Sequence, residues 1–170
     1  LELSAYCNRV CPYCPVAIYG RKDRSVEMPI SILSSIIDGL KEINFDRRIS
    51  LNLFNEPLAS KTFLNTLLRL NQELPKALLH TNSNGDYIKN QKQLLQLEQN
   101  GLKEINITLH IPPKGKWDRN QRKKALKRFS ISVIASNTED VCIIKILFKP
   151  LLVMKNFKQS FFVSKSNASR

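Results

Sequence analysis

Cys7-Asn8-Arg9-Val10-Cys11-Pro12-Tyr13-Cys14-Pro15 is the stretch on which the reading of this chain turns. Three of the four cysteines fall within it, spaced C-x3-C-x2-C. Thiolates are the protein ligands of iron–sulfur clusters, and a four-iron cluster ordinarily takes four of them. Three thiolates from one short loop leave one iron without a protein ligand. An open position lets a small molecule bind the metal directly, which points to chemistry at the cluster and not electron storage alone. A zinc site competes with this reading. Structural zinc is usually built from paired C-x2-C knuckles. Cys11 and Cys14 form one knuckle, and Cys7, Cys142, His80 or His110 could complete a site, but there is no second knuckle. A disulfide framework is excluded by the small number of cysteines and a normal apolar content.

Working outward, the length of 170 residues suits a single domain with a real core. Residues 1–150 read as that core and residues 151–170 as a basic tail. Hydrophobic residues make up 42% of the chain, which is ordinary for a globular protein. No apolar run approaches the roughly 20 residues that span a bilayer, and no charged-then-apolar leader opens the sequence. The expectation is a soluble, cytoplasmic protein. The chain opens on Leu1, not Met, and a strand-like run begins at once, so it reads as a fragment whose start lies upstream.

The net charge of +13 is unevenly spread. Residues 1–110 carry 13 basic and 11 acidic side chains, whereas residues 111–170 carry 14 and 3. The densest cluster is Arg119, Arg122, Lys123, Lys124, Lys127 and Arg128. Such asymmetry marks either a solvated basic face or a surface for nucleic acid or another acidic partner. Aromatics do not interleave with these charges as they do on a base-stacking platform. A zinc-stabilised nucleic-acid-binding module is therefore the alternative, and the less favoured one.

Strand-like and helix-like segments alternate along the chain. Residues 1–6 read as a first strand leading into the cysteine loop, and residues 15–28 as loop. Pro29 sits near a helix start with Ser31 as a cap, followed by Ile32, Leu33, Ile36, Ile37, Leu40 and Ile43 at helical spacing. Residues 49–54 alternate as a strand. Phe63, Leu64, Leu67, Leu68 and Leu70 form a second helical stripe that Pro75 ends. Residues 77–80 are a third strand, and Leu94, Leu95 and Leu97 mark a third helix stopped at Gly101. Residues 104–110 form a fourth strand, 118–127 a basic helix, 129–134 a fifth strand and 141–148 a sixth. Alternation of this kind predicts an α/β fold of parallel strands with right-handed crossovers. Loops following such strands gather at one end of the sheet, where ligands bind. The cysteine loop, Asn55, Glu56, Asn82 and His110 would then share one rim.

Three further stretches lie on predicted strand ends. In Leu53-Phe54-Asn55-Glu56-Pro57-Leu58, a carboxylate held by a following proline is placed to accept hydrogen bonds from a ligand ammonium. Read alone, it is a turn. Thr81-Asn82-Ser83-Asn84-Gly85-Asp86-Tyr87 also reads locally as a turn. In Ile107-Thr108-Leu109-His110, Thr108 and His110 share one strand face. His80, ending the third strand, reads as structural.

Together with the cysteine loop and its Tyr13, these stretches resemble the radical S-adenosylmethionine (radical SAM) superfamily over roughly residues 1–135. The Asn-Glu-Pro-Leu stretch is similar to that family's Gly-Gly-Glu-Pro element, with Phe54-Asn55 where the glycines stand. Thr81-Asn82 resembles its Thr-Asn-Gly element, and the extra Ser83-Asn84 leaves open which Asn corresponds. The resemblance implies a partial (β/α)6 TIM-like barrel, short of its C-terminal end. It implies a [4Fe-4S] cluster on Cys7, Cys11 and Cys14, with S-adenosylmethionine at the fourth iron. Tyr13, Asn55, Glu56, Asn82, Thr108 and His110 would contact that cofactor. Reductive cleavage to a 5′-deoxyadenosyl radical would follow, with hydrogen abstraction from a peptide or small-molecule substrate. An electron donor such as flavodoxin or ferredoxin would be the partner. Arg9 either tunes the cluster by its charge or faces solvent, and Cys142 reads as a buried strand cysteine.

Overall fold

The apolar stripes and alternating runs condense into one α/β layer structure. The computed structural model describes residues 1–11, 14, 15, 18, 23, 26–109 and 142–147. Helix α1 (Ile30–Glu42) precedes strand β1 (Arg48–Ser50), and a 3-10 turn (Pro57–Ala59) leads into α2 (Phe63–Glu73). Then come β2 (Leu78–Ser83), α3 (Gln91–Gln99), β3 (Glu104–Leu109) and β4 (Cys142–Leu147). The strands form one open sheet in the order β1-β2-β3-β4. The first three are parallel, with Ile49 opposite Leu79 and Thr81 opposite Ile105.

Each helix buries part of the stripe its 3.6-residue period predicts: Leu33 and Ile37 from α1, Phe63, Leu67 and Leu70 from α2, Leu94 and Leu97 from α3. Ile32, Ile43 and Leu68 of the same stripes are exposed. The buried ones share a single core with Ile49, Leu51, Leu79, Ile105, Ile107 and Ile146 of the sheet. Burying each such side chain is worth roughly 1.5–3 kcal/mol. Asn90 caps α3 by accepting from the Gln93 N–H at 3.2 Å. Gly101 ends the helix at φ +102, where an added Cβ would lie 2.3 Å from Asn71 Cγ. Only glycine fits there.

Several sequence expectations change. Residues 1–6 are not a sheet strand. Their backbone pairs with the chain just before α1, through Ala5 N–H to Val26 C=O at 3.0 Å and Met28 N–H to Leu3 C=O at 2.7 Å. That makes only an isolated antiparallel bridge between Ser4 and Glu27. The apolar signal there came from Leu3, which is buried in the core. Helix α1 starts at Ile30 with Pro29 in the cap position, so Ser31 lies inside the first turn and caps nothing. Strand β1 stops at Ser50 because the Asn52 side chain, not its backbone, takes the next ladder donor, the Asn82 N–H, at 2.9 Å. Strand β2 runs on to Ser83, which puts Thr81-Asn82 in the sheet and not in a turn. Strand β4 is antiparallel to β3, Glu104 opposite Leu147 and Leu109 opposite Cys142. An apolar run carries no signal of direction, so the parallel expectation for it was wrong. The basic helix, the fifth strand and the 151–170 tail lie outside the described residues.

Candidate functional site

The loops that follow β1 and β2 meet at the strand ends, and Glu56 is the residue that joins them. Its carboxylate is buried, 2% exposed. It accepts the Ser83 hydroxyl at 2.7 Å, the Asn84 N–H at 2.8 Å and the Leu58 N–H at 3.2 Å. Its own N–H donates to Tyr6 C=O at 2.9 Å, which draws in the segment entering the cysteine loop. Burial pushes the Glu56 carboxyl above its ordinary range, and the hydrogen bonds from Asn84, Ser83 and Leu58 oppose that shift. Beside it, Asn55 Oδ1 accepts the Leu53 N–H at 3.2 Å, while Asn55 Nδ2 is a buried donor with no hydrogen-bond partner. An unmet buried donor is costly, and a polar ligand is one way to satisfy it.

The cysteine loop is fastened to the loop after β2. Asp86 accepts Arg9 Nε at 2.6 Å on Oδ2 and an Arg9 terminal nitrogen at 2.6 Å on Oδ1. Asn8 Nδ2 adds a third bond to Asp86 Oδ2 at 2.8 Å. Asn84 Nδ2 reaches Asn8 Oδ1 at 2.8 Å. Arg9 therefore forms a two-pronged ion pair and does not simply face solvent. Within the loop, Cys14 N–H donates to Cys11 C=O at 2.9 Å. Cys7, Cys11 and Cys14 are partly buried and none is in a disulfide. Burial raises the Cys7 thiol, the Arg9 backbone N–H lowers it, and negative charge at Glu56, Cys11 and Cys14 raises it again.

A polar ladder crosses the sheet below this rim. Ser50 Oγ and His80 Nδ1 lie 2.8 Å apart, and His80 Nε2 lies 3.1 Å from Asn106 Nδ2. Asn106 Nδ2 also donates to Asn82 Oδ1 at 2.9 Å. Thr108 follows Asn106 on the same face, because side chains alternate along a strand. A face of carboxamides and hydroxyls, partly open, can hydrogen-bond a hydroxylated ligand without specialised charges.

Of the residues singled out from sequence, the structure therefore brings Cys7, Cys11, Cys14, Asn55 and Glu56 to one network of strand-end loops, with Asn82 and Thr108 on the polar face beneath. Tyr13 and His110 lie outside the described residues. His80 is buried and hydrogen-bonded, in keeping with a structural role. Asn8, Asp86, Asn52 and Asn106 were not singled out from sequence, and Asn84, left open there as the alternative to Asn82, joins them in the network. Their signal is tertiary: each makes a bond to a residue at least 24 positions away.

The donor chemistry of the loop fits an iron–sulfur cluster: three thiols within eight residues, none of them in a disulfide. Among the described residues no group of three or more His, Cys, Asp or Glu side chains is gathered on a point where a metal ion would sit. Ligation by all three thiols thus requires their side chains to turn toward one another. The same described residues contain no helix long and apolar enough to cross a membrane.

An α/β sheet with a polar strand-end site is the class the geometry defines, and the comparisons with known proteins narrow it. The chain is 29% identical over 117 residues to the S-adenosyl-L-methionine-dependent 2-deoxy-scyllo-inosamine dehydrogenase of Niallia circulans, a match covering 69% of this chain and 46% of that protein. Among solved structures, BtrN in an open conformation matches with a TM-score of 0.55 and 27% identity, covering 61% of this chain and 45% of BtrN. BtrN in complex with AdoMet and 2-DOIA matches with a TM-score of 0.56 and 28% identity, covering 61% and 42%. The chain spans less than half the length of these relatives. No family model matches it. That corrects the superfamily assignment made from the motifs: what is found is likeness to S-adenosylmethionine-dependent dehydrogenases, not a family match.

Proposed function

We propose that this chain belongs to an oxidoreductase that binds S-adenosylmethionine at a [4Fe-4S] cluster on Cys7, Cys11 and Cys14 and oxidises a small hydroxylated molecule. The observation that carries the reading is the bonding of the cysteine loop to the Glu56 and Asp86 loops, in a chain 29% identical to an S-adenosylmethionine-dependent dehydrogenase. Cys7, Cys11 and Cys14 would hold the cluster, which when bound would supply one-electron reduction of the cofactor and so the means of hydrogen-atom abstraction from substrate. The protein's part is to bind, orient and exclude water.

Each residue has a role suited to its chemistry. The three thiolates would hold iron. Glu56 presents negative charge where the loops meet, suited to the cofactor ammonium. The unmet Asn55 Nδ2 donor suits a carboxylate. Asn82 and Thr108 supply polar groups for ribose hydroxyls, and Tyr13 and His110 complete the set by their place in sequence. The polar ladder, together with the aminocyclitol named for the relative, favours a small hydroxyl-bearing substrate over a peptide. A one-electron donor of the flavodoxin or ferredoxin class supplies reducing equivalents. A reducing cytoplasm keeps the thiols available.

Anaerobic reconstitution with iron and sulfide is the test. The reading expects about four irons per chain, loss of the brown colour in Cys7→Ala, Cys11→Ala or Cys14→Ala, and retention in Cys142→Ala. Reduction with dithionite in the presence of S-adenosylmethionine should release 5′-deoxyadenosine. A colourless protein holding stoichiometric zinc would overturn it.

A further inference from the structure

We infer that Asp86 is the positioning residue of the cysteine loop: its carboxylate grips Asn8 and Arg9, between the first two cysteines, and sets where Cys7 and Cys11 stand against the strand ends. The inference rests on the cluster reading of that loop.

Among the described residues, two donors of Arg9 and one of Asn8 converge on this carboxylate, across 77 and 78 residues of sequence. Two parallel N–H···O bonds from a guanidinium fix orientation as well as distance. Asp86 is itself held. Its N–H donates to Asn84 Oδ1 at 2.9 Å, Gly85 turns the chain at φ +72, and the Lys89 ammonium donates to the Asp86 carbonyl. Asn8 is engaged at both ends of its amide, accepting from Asn84 and donating to Asp86. Asn84 in turn hangs by its N–H from Glu56 Oε2. Glu56, Asn84, Asn8, Asp86 and Arg9 thus form one continuous bracket from the end of β1, through the loop after β2, to the cysteine loop. The bracket is held by polar groups throughout, buried at Glu56 and Asn84 and partly exposed at Arg9 and Asp86. Its evident product is a fixed position for the residues between Cys7 and Cys11. Groups that orient metal ligands without touching the metal typically account for 10–100-fold in metal affinity.

The experiment compares wild type with Asp86→Ala, Asp86→Asn, Asp86→Glu and the control Arg69→Ala, which removes an ion pair to Glu73 of α2 and a hydrogen bond to Ser34 of α1 but touches no residue of the bracket. Each protein is reconstituted anaerobically. Iron retention is then measured against a chelator, and the EPR spectrum of the reduced protein is recorded. Asp86→Ala should release iron about 10–100-fold more readily, with an altered spectrum. Asp86→Asn, isosteric and able to keep the turn, should lose about tenfold, and serves if the alanine variant does not fold. Asp86→Glu should recover part of the loss, and Arg69→Ala should match wild type. Should both Asp86→Ala and Asp86→Asn hold iron as tightly as wild type and share its spectrum, the positioning role is wrong while the cluster reading stands. A wild type that takes up no iron overturns the cluster reading and this inference together.

Discussion

The two faces of the sheet are built from opposite chemistry. On the covered face, Ile49, Leu51, Leu79, Ile105 and Ile107 are at most 5% exposed and pack against the helices. On the other, Ser50, His80, Asn82 and Asn106 hydrogen-bond sideways from strand to strand. Parallel sheets are usually apolar on both faces. A polar face on three parallel strands gives up burial energy, and it is the face on which the proposed ligand would sit. Stability and the proposed ligand chemistry would then be carried by separate sets of side chains that alternate one by one along the same strands.

That division can be broken deliberately. Leu79→Ala, in the centre of the covered face, should cost about 2–5 kcal/mol in urea unfolding; a cost below about 1 kcal/mol would mean the covered face does not dominate stability. His80→Ala, at the centre of the polar face, should cost less, about 1–3 kcal/mol, from the partners left on Ser50 and Asn106. If it costs as much as Leu79→Ala, the polar face is as structural as the other.

Glu56 sharpens the contrast at the rim. Its folded carboxyl titrates above its ordinary 4.5, chiefly through burial. The fold therefore favours the protonated form relative to the unfolded chain. This contribution is full below the unfolded value and is lost as pH rises through the folded one. The stability of wild type relative to Glu56→Gln should fall as pH is raised from 4 toward neutrality, read by denaturation at each pH; a rise would contradict the burial argument. Least of all, Arg69→Ala should move stability by no more than about 1 kcal/mol, because it removes a partly exposed i,i+4 pair with Glu73 and one hydrogen bond to Ser34 of α1.

The covered face was readable in the sequence because it is periodic. Leu33 and Ile37, or Phe63, Leu67 and Leu70, repeat at helical spacing, and Ile105 and Ile107 alternate. The α/β class follows from that rhythm. What misled were places where side chains replace backbone or where direction matters. Asn52 stands in for a strand carbonyl and shortens β1, Leu3 is buried without belonging to the sheet, and β4 runs against β3. In the candidate site, the three cysteines stood out by their spacing and Glu56 only through the resemblance of its stretch to a family motif. The Asp86 bracket was not, since nothing local relates Asp86 to Arg9.

EPR spectroscopy of the reconstituted, dithionite-reduced protein before and after addition of S-adenosylmethionine tests the central claim most directly. Three thiolates and one open iron predict a signal whose shape changes when the cofactor is added. A protein with no such signal, or one whose spectrum stays the same at saturating S-adenosylmethionine, would contradict it.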